Sequence, residues 1–300
     1  MLFSLVIPTY NNLHELTNCL RALDRIARKD FEVFVAVDGS TDGTLEWLAQ
    51  ASFHFPLHAL SHPNHENRGR SATRNLTLPH LQGKYTLFMD SDMEAAPDLL
   101  DQHFRILERG GAISIGTVAY RNRGHNLWVR YTSERGVGKY DDGAVVPFNY
   151  FITPNTALPT AYFKECGGFD EAISHYGGED MELGYRINKQ FQPRFFFNAA
   201  AIVTTTQPKT LEEALPQLQE YGATGLRYIT RKWPELNRIY WVNRCGSRKL
   251  GDRLFRFLIR PFFQKIAWWF IRWTPFPIQK LFINYLVISA VHKGYRDGKY

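Results

Sequence analysis

Cysteine is scarce. Cys19, Cys166 and Cys245 are scattered through 300 residues, which excludes a disulfide framework or a Cys-rich zinc site and favours a reducing cytoplasm. The apolar run in the tail, 281–291, is much shorter than the ~20 residues that cross a bilayer. No basic region precedes the strand-like start "MLFSLVIPTY", so no signal peptide is expected. No G-x-G-x-x-G follows that start and no Walker lysine is present, which sets aside an ordinary dinucleotide fold and a P-loop.

What is present suits a large core. The chain is 44% hydrophobic and 15% aromatic, enough for one large domain or a domain with an annex. Its net charge of +7 is uneven. Residues 244–300 hold twelve Lys or Arg against Asp252 and Asp297, a balance of +10, whereas the residues before them carry −3. The basic residues of the tail interleave with apolar ones rather than lining a groove, so no nucleic-acid partner is expected.

The first third alternates between strand and helix patterns. Leu2–Ile7, Phe31–Val37, Leu57–Leu60, Tyr85–Met89 and Ala112–Thr117 read as strands. The spacing of Leu13, Leu16, Leu20 and Leu23 predicts a helix capped by Asn12 with Glu15. Further helices are expected over 44–49, 69–78 and 97–108. Such alternation implies a doubly wound, mostly parallel sheet, which binds ligands at the carboxyl ends of its strands. The loops there, "PTYNN" (8–12), "DGSTDGT" (38–44), "HPNHENRGR" (62–70) and "DSDME" (90–94), make a polar crevice.

In "LFMDSD" a buried strand ends in two carboxylates, Asp90 and Asp92, separated by Ser91. Asp is common in wet turns, so a D-x-D alone says little. At the end of a parallel strand it also fits the hard oxygen ligands of Mg²⁺ or Mn²⁺.

"SLVIPTYNN", "VAVDGSTDGT", "NRGRSATRN" and "LFMDSD", in this order, resemble the donor-binding half of family 2 glycosyltransferases with the GT-A fold. "PNTALPTAYFKECGGFDEAISHYGGEDMELGYRI" (154–187) resembles the acceptor half. The resemblance covers roughly residues 2–240 and lies in five ordered motifs rather than in any one. It implies an inverting, metal-dependent transfer from a nucleotide-sugar, expected to be UDP-linked, to a saccharide or lipid-linked acceptor. Pro8, Thr9, Tyr10 and Asp38 would grip the base, with Asn67, Gly69, Arg70, Arg74 and Asn75 near the base and diphosphate. Asp90 and Ser91 would face the ribose and sugar, and Asp92, with Asp90, would hold Mn²⁺ or Mg²⁺.

For the acceptor half the resemblance makes Asp180 the general base, with Glu179, Gly177, Gly178 and Tyr176 around the acceptor. Simpler roles exist: a solvated helix face for Arg70 and Arg74, a turn cap for Asp38, a helix-capping acid for Asp180. Family members often supply a His soon after the acceptor helix, but "NAAAIVTTTQPKT" (198–210) has none. Thr205 and Gln207 are the candidate substitutes.

The implied fold is α/β of GT-A type: a nucleotide-sugar half (1–117), an acceptor-binding half (118–243) and basic amphipathic C-terminal helices (244–300). Over 250–273, Phe255, Leu258, Ile259, Phe262, Phe263, Ile266, Trp269, Phe270 and Trp273 share a helix face, with Pro261 dividing the run. Two accounts fit: an interfacial anchor on anionic lipid at the inner membrane face, or helices packed on protein. Two rivals remain for the whole chain. A nucleotidyltransferase needs a Gly- and basic-rich signature after the first strand, which "IPTYNN" is not. A sugar-binding scaffold would have no need of Asp90, Asp92, Glu179 and Asp180 together.

Overall fold

The computed structural model describes residues 1–121, 126–239 and 257–298. Its first compact unit comprises 1–125, 132–174 and 179–208. β1 (Phe3–Thr9) is almost wholly buried, as befits a parallel strand covered on both faces. It lies between β2 (Phe31–Val37) and β4 (Tyr85–Met89), and β3 (Leu57–Ser61) pairs with β2, all in parallel. Around them run α1 (Leu13–Asp24), α2 (Thr44–Gln50), α3 (Arg70–Asn75) and α4 (Leu99–Leu107). This half is the parallel sheet that the alternation predicts.

The sheet continues with β5 (Met93–Ala95), β6 (Ala112–Tyr120), β7 (Val145–Val146), β8 (Asn155–Pro159) and β9 (Arg194–Thr205). Among the described residues it has nine strands, ordered β3-β2-β1-β4-β8-β6-β9-β5, with β7 beside β9. β8 runs antiparallel to both β4 and β6, and β5 antiparallel to β9, whereas β6 and β9 are parallel. The second half of the sheet is therefore mixed. α5 (Leu127–Arg135), α6 (Thr160–Glu165) and α7 (Glu179–Phe191) complete these elements.

Alternation along the strands makes two layers. Phe3, Leu5 and Ile7 pack with Leu16, Leu20 and Leu23 of α1 and with Leu99 of α4. Val6, Phe34 and Phe88 turn the other way, towards Phe163 of α6 and Leu183 and Ile187 of α7. Each such side chain taken from water contributes about 1.5–3 kcal/mol. These layers hold the strand ends, and so the loops, in place.

Two local expectations are corrected. Asn12 makes no side-chain cap on α1. Its amide donates to Ser91 Oγ at 3.0 Å, and the Leu13 N–H goes instead to Asp42 Oδ2 at 2.9 Å. The helix expected over 69–78 stops at Asn75. The next residues tighten into turns, with Thr77 N–H bonded to Arg74 O and Leu78 N–H to Asn75 O, because Pro79 disfavours α geometry just before it.

The second unit comprises 126–131, 175–178 and 209–300. α8 (Leu211–Ala223) starts in a capping box between Thr210 and Glu213, and α9 (Gly225–Lys232) follows it. α10 (Pro261–Trp273) and α11 (Phe276–Asp297) supply Ala267, Ile271, Ile283, Leu286 and Val287 to a core with Leu211 and Tyr131. Pro261 opens α10, where its missing N–H costs nothing, and Arg260 before it is extended. Phe255 and Arg256 lie outside the described residues. No described helix is long and apolar enough to cross a membrane.

Candidate active site

The loops after β1, β2 and β4 sit at one edge because their strands run in parallel register, Thr9 beside Val37 and Val6 beside Phe88. Side chains tie them together. Asn11 Oδ1 accepts the Thr41 N–H at 2.7 Å, and Asn11 N–H donates to Ser40 Oγ at 3.0 Å. Gly39, at φ +73°, passes so close to the next loop that a Cβ would lie 2.7 Å from His65 O. Only glycine fits there.

Asp38 is buried, and its carboxylate accepts the N–H groups of Arg68 at 2.7 Å and Gly69 at 3.1 Å. It thereby fixes the 67–70 loop rather than capping its own turn. His62 stands 3.9 Å from Asp38 and hydrogen-bonds Thr73 at 3.1 Å. Thr9 is buried, whereas Tyr10, Asn67 and Arg70 are exposed at the edge. The Asn75 amide is engaged with the following loop: Nδ2 donates to Phe169 O and Glu171 Oε1, and Oδ1 accepts the Phe169 N–H.

Arg74 is not on a solvated face; it is 2% exposed. Its Nη2 donates to Asp90 Oδ1 at 3.0 Å, and Nη1 stands 3.6 Å from Glu179 Oε1. One buried cation thus joins the strand-end carboxylate to the start of α7. Its Nε and Nη1, Glu179 Oε2 and Thr9 Oγ1 are all buried without a hydrogen-bond partner among the described residues. Native proteins rarely leave such groups orphaned unless a ligand or water completes them.

Asp180 is held by Thr153, whose N–H donates to Oδ2 at 3.1 Å and whose Oγ1 donates to Oδ1 at 2.9 Å. Burial, then the neighbouring Glu179 carboxylate, push its acid up to about 7, against the pull of Arg74 and the Thr153 N–H. A carboxylate with its acid near neutrality can take and release a proton under ordinary conditions. Thr153 escaped the sequence reading because a lone threonine in "ITPNT" carries no signal.

Asp92 Oδ2 accepts from Thr205 Oγ1 at 3.2 Å, and Thr205 Oγ1 also accepts the Gln207 N–H at 3.2 Å. The Gln207 amide goes to Glu15. Of the two candidate substitutes for the missing His, the threonine hydroxyl is the one on Asp92. The field here is negative: the thiol of buried Cys19 is pushed up by burial and then by Asp92, Asp90 and Glu94. Among the described residues no group of three or more His, Cys, Asp or Glu could hold a metal ion. Two carboxylates and a hydroxyl fit a hard cation that keeps waters and shares substrate phosphates.

Tyr176, Gly177 and Gly178 belong to the second unit. There Lys209 Nζ sits 5.1 Å over the Tyr176 ring, and Gly178 (φ +105°) packs where a Cβ would meet Ile229 at 2.9 Å.

A parallel half with acidic strand-end loops, joined in one sheet to a mixed half that carries two acids at a helix start, is the GT-A arrangement. The family model for glycosyl transferase family 2 matches residues 4–168, and the chain belongs to that family. An uncharacterized glycosyltransferase of Bacillus subtilis, YfnE, is 28% identical over 237 residues, covering 62% of this chain and 60% of that protein. The chain spans about half the length of the next curated relatives, 51% and 48%. Among solved structures, S. aureus TarS 1-349 in complex with UDP aligns over 100% of this chain and 93% of that one, with a TM-score of 0.57 and 19% identity. The Pyrobaculum calidifontis mannosyltransferase PcManGT, solved with GDP-Man and Mn²⁺, covers 97% and 86%, with a TM-score of 0.64 and 17% identity. At these identities the structures speak for the fold.

Proposed function

We propose that this glycosyltransferase moves a sugar, with inversion, from a UDP-sugar to a polysaccharide or lipid-linked saccharide acceptor, using Mn²⁺ or Mg²⁺ held by Asp92 and Asp90. The observation that carries this reading is Asp180, a partly buried carboxylate near neutrality, fixed by Thr153 at 2.9 and 3.1 Å in the unit that also holds Asp90 and Asp92. In the proposed step the acceptor hydroxyl oxygen attacks the anomeric carbon and its proton passes to Asp180. The bond from that carbon to the diphosphate oxygen breaks, and the nucleoside diphosphate leaves. A bound cation would supply Lewis-acid stabilisation to the departing diphosphate.

The other residues take roles around that step. Pro8, Thr9, Tyr10 and Asp38 serve the base, while Asn67, Gly69 and Arg70 serve the diphosphate. Asp90 and Ser91 face the ribose and sugar. Arg74 and Asn75 serve the same half by holding Asp90 and the 168–171 loop. Glu179 orients the acceptor and Tyr176 offers a sugar platform, with Gly177 and Gly178 shaping the turn. The divisions 1–117, 118–243 and 244–300 are the corresponding functional parts. UDP is the nucleotide in a TarS complex and GDP-Man the donor in that of PcManGT, so GDP is the alternative to be tested beside UDP.

Donor hydrolysis tests this reading. UDP-sugars with Mn²⁺ should be cleaved slowly by the wild type and not by Asp92→Ala. Cleavage that survives in EDTA would remove the metal from the account, and preferential cleavage of GDP-mannose would replace UDP by GDP.

A second reading concerns location. On α10, Phe262 is 67% exposed, Trp269 59% and Trp273 70%, while Ala267 and Ile271 face the core. Lys265 and Arg272 are exposed beside them. An outward aromatic stripe flanked by cations suits the headgroup region of an anionic bilayer. We infer a peripheral association with such a surface, on the cytoplasmic side.

A further inference from the structure

β6 and β9 run in register from Ala112↔Arg194 to Gly116↔Asn198, and then Thr117 pairs with Ile202. Three alanines, 199–201, are extruded between those two pairs. A closed chain of fully buried side chains surrounds the extrusion. Asn155 Nδ2 donates to Thr117 O at 3.0 Å and to Ala201 O at 2.9 Å, tying the first β6 residue past the register jump to the last extruded alanine. Its Oδ1 therefore faces His103 Nε2 at 2.8 Å and must accept from it. That leaves His103 Nδ1 as the acceptor for Ser114 Oγ, 2.9 Å away. Ser114 Oγ in turn accepts from Asn198 Nδ2 at 3.1 Å, and the second Asn198 proton goes to Gln102 O at 2.7 Å. Every donor in the chain has one acceptor, and only a neutral, Nε2-protonated imidazole satisfies it. Burial pushes the His103 imidazolium down to about 4, in keeping with that tautomer. Gly116 cannot carry a side chain, since a Cβ would lie 2.2 Å from Asn155 Nδ2.

The jump decides what lies beyond it. After the bulge β9 pairs with β5, Met93 opposite Thr205, and the Thr205 hydroxyl reaches Asp92. Without the three extra residues the strand would slip by an odd number and turn the opposite face to Asp92. We propose that the buried Asn155–His103–Ser114–Asn198 network is a positioning device that sets the Thr205 hydroxyl on Asp92 and so completes the cation-binding oxygens. This rests on the reading of Asp92 as a cation ligand.

The test is Mn²⁺ titration by water-proton relaxation enhancement, with UDP present and, in a parallel arm, GDP. It uses the full chain well below its melting temperature. Thr205→Val is expected to weaken Mn²⁺ binding several-fold with little change in Tm. Asn155→Ala, and the milder Ser114→Ala, are expected to weaken it as well while lowering Tm. The double variant Ser114→Ala with Thr205→Val should bind no more weakly than Thr205→Val alone, because both act through one hydroxyl. If Ser114→Ala and Asn155→Ala lower Tm but leave Mn²⁺ affinity at the wild-type value, the network is structural only and the inference fails. Additive losses in the double variant overturn it too. If the wild type binds Mn²⁺ no better than Asp92→Asn, the cation reading itself fails, and that outcome is separate from the other two.

Discussion

Thr153 holds Asp180 through two hydrogen bonds, one from its N–H and one from its hydroxyl, to different oxygens of one carboxylate. Both bonds favour the charged form. They oppose the burial and the Glu179 charge that raise the acid to about 7. Thr153→Val keeps the N–H and removes the hydroxyl, so the acid should rise further. The acidic limb of the kcat–pH profile, where activity grows as the base loses its proton, should move to higher pH. An unmoved limb would detach Thr153 from the chemistry.

Asp180→Asn should retain donor binding and lose turnover by about 10²–10⁴-fold, the usual worth of a general base. It should also stabilise the protein near neutrality. Between the ordinary value of 3.8 and about 7, the folded state holds a proton that the unfolded state has released. Stability therefore falls as pH rises through that window. The variant escapes the loss, so its Tm advantage should be present at pH 8 and vanish below about pH 4. Thermal melts across pH check the sign, and a variant less stable than wild type at pH 8 would contradict it.

Arg74→Met should be costly to the fold. It leaves Asp90 and buried Glu179 without the cation that joins them. Breaking a buried pair in this way typically costs 3–5 kcal/mol. Chemical denaturation of the variant gives the number, and a loss under about 1 kcal/mol would mean that Arg74 faces solvent in practice.

The tail prediction separates surface from core. Replacing Phe262, Trp269 and Trp273 by serine should abolish co-sedimentation with anionic vesicles at low salt without lowering Tm, because these rings face outward. Raising the salt should weaken wild-type binding, since the Lys and Arg contribution is screened. Truncation is the wrong tool, because α10 and α11 carry Ile271, Ile283 and Leu286 into a core with Leu211. A wild type that ignores anionic vesicles at low salt would dismiss the bilayer as partner.

How much of this was legible in the sequence follows from where each signal is stored. β2 and β4 run over Phe31–Val37 and Tyr85–Met89 as read, because a short unbroken β-branched and aromatic run is written in adjacent residues. The D-x-D at a strand end was legible for the same reason. Asn12 misled because the group that caps its helix, Asp42, comes from the loop after a different strand. Arg74 reads equally as a donor ligand or as a solvated helix face until α7 brings Glu179 to within 3.6 Å of it. Thr153, His103 and Asn155 act through partners far along the chain, and nothing in their neighbours announces it. The tail's apolar stripe was visible, but which side faces out was not. The helix period separates the exposed Trp269 and Trp273 from the buried Ala267 and Ile271 only once the core is known.

The most direct measurement for the central claim is the melting temperature with UDP and with GDP, each with Mn²⁺ and with EDTA, in the wild type and in Asp92→Ala. A ligand that binds only the folded state stabilises it by mass action, by about 2.7 kcal/mol at a hundred times its Kd, and so raises Tm. The expected result is a rise with UDP and Mn²⁺ together that disappears in EDTA and in the variant. No rise with either nucleotide, or an equal rise in EDTA, would contradict a metal-assisted nucleotide-sugar site at Asp90 and Asp92.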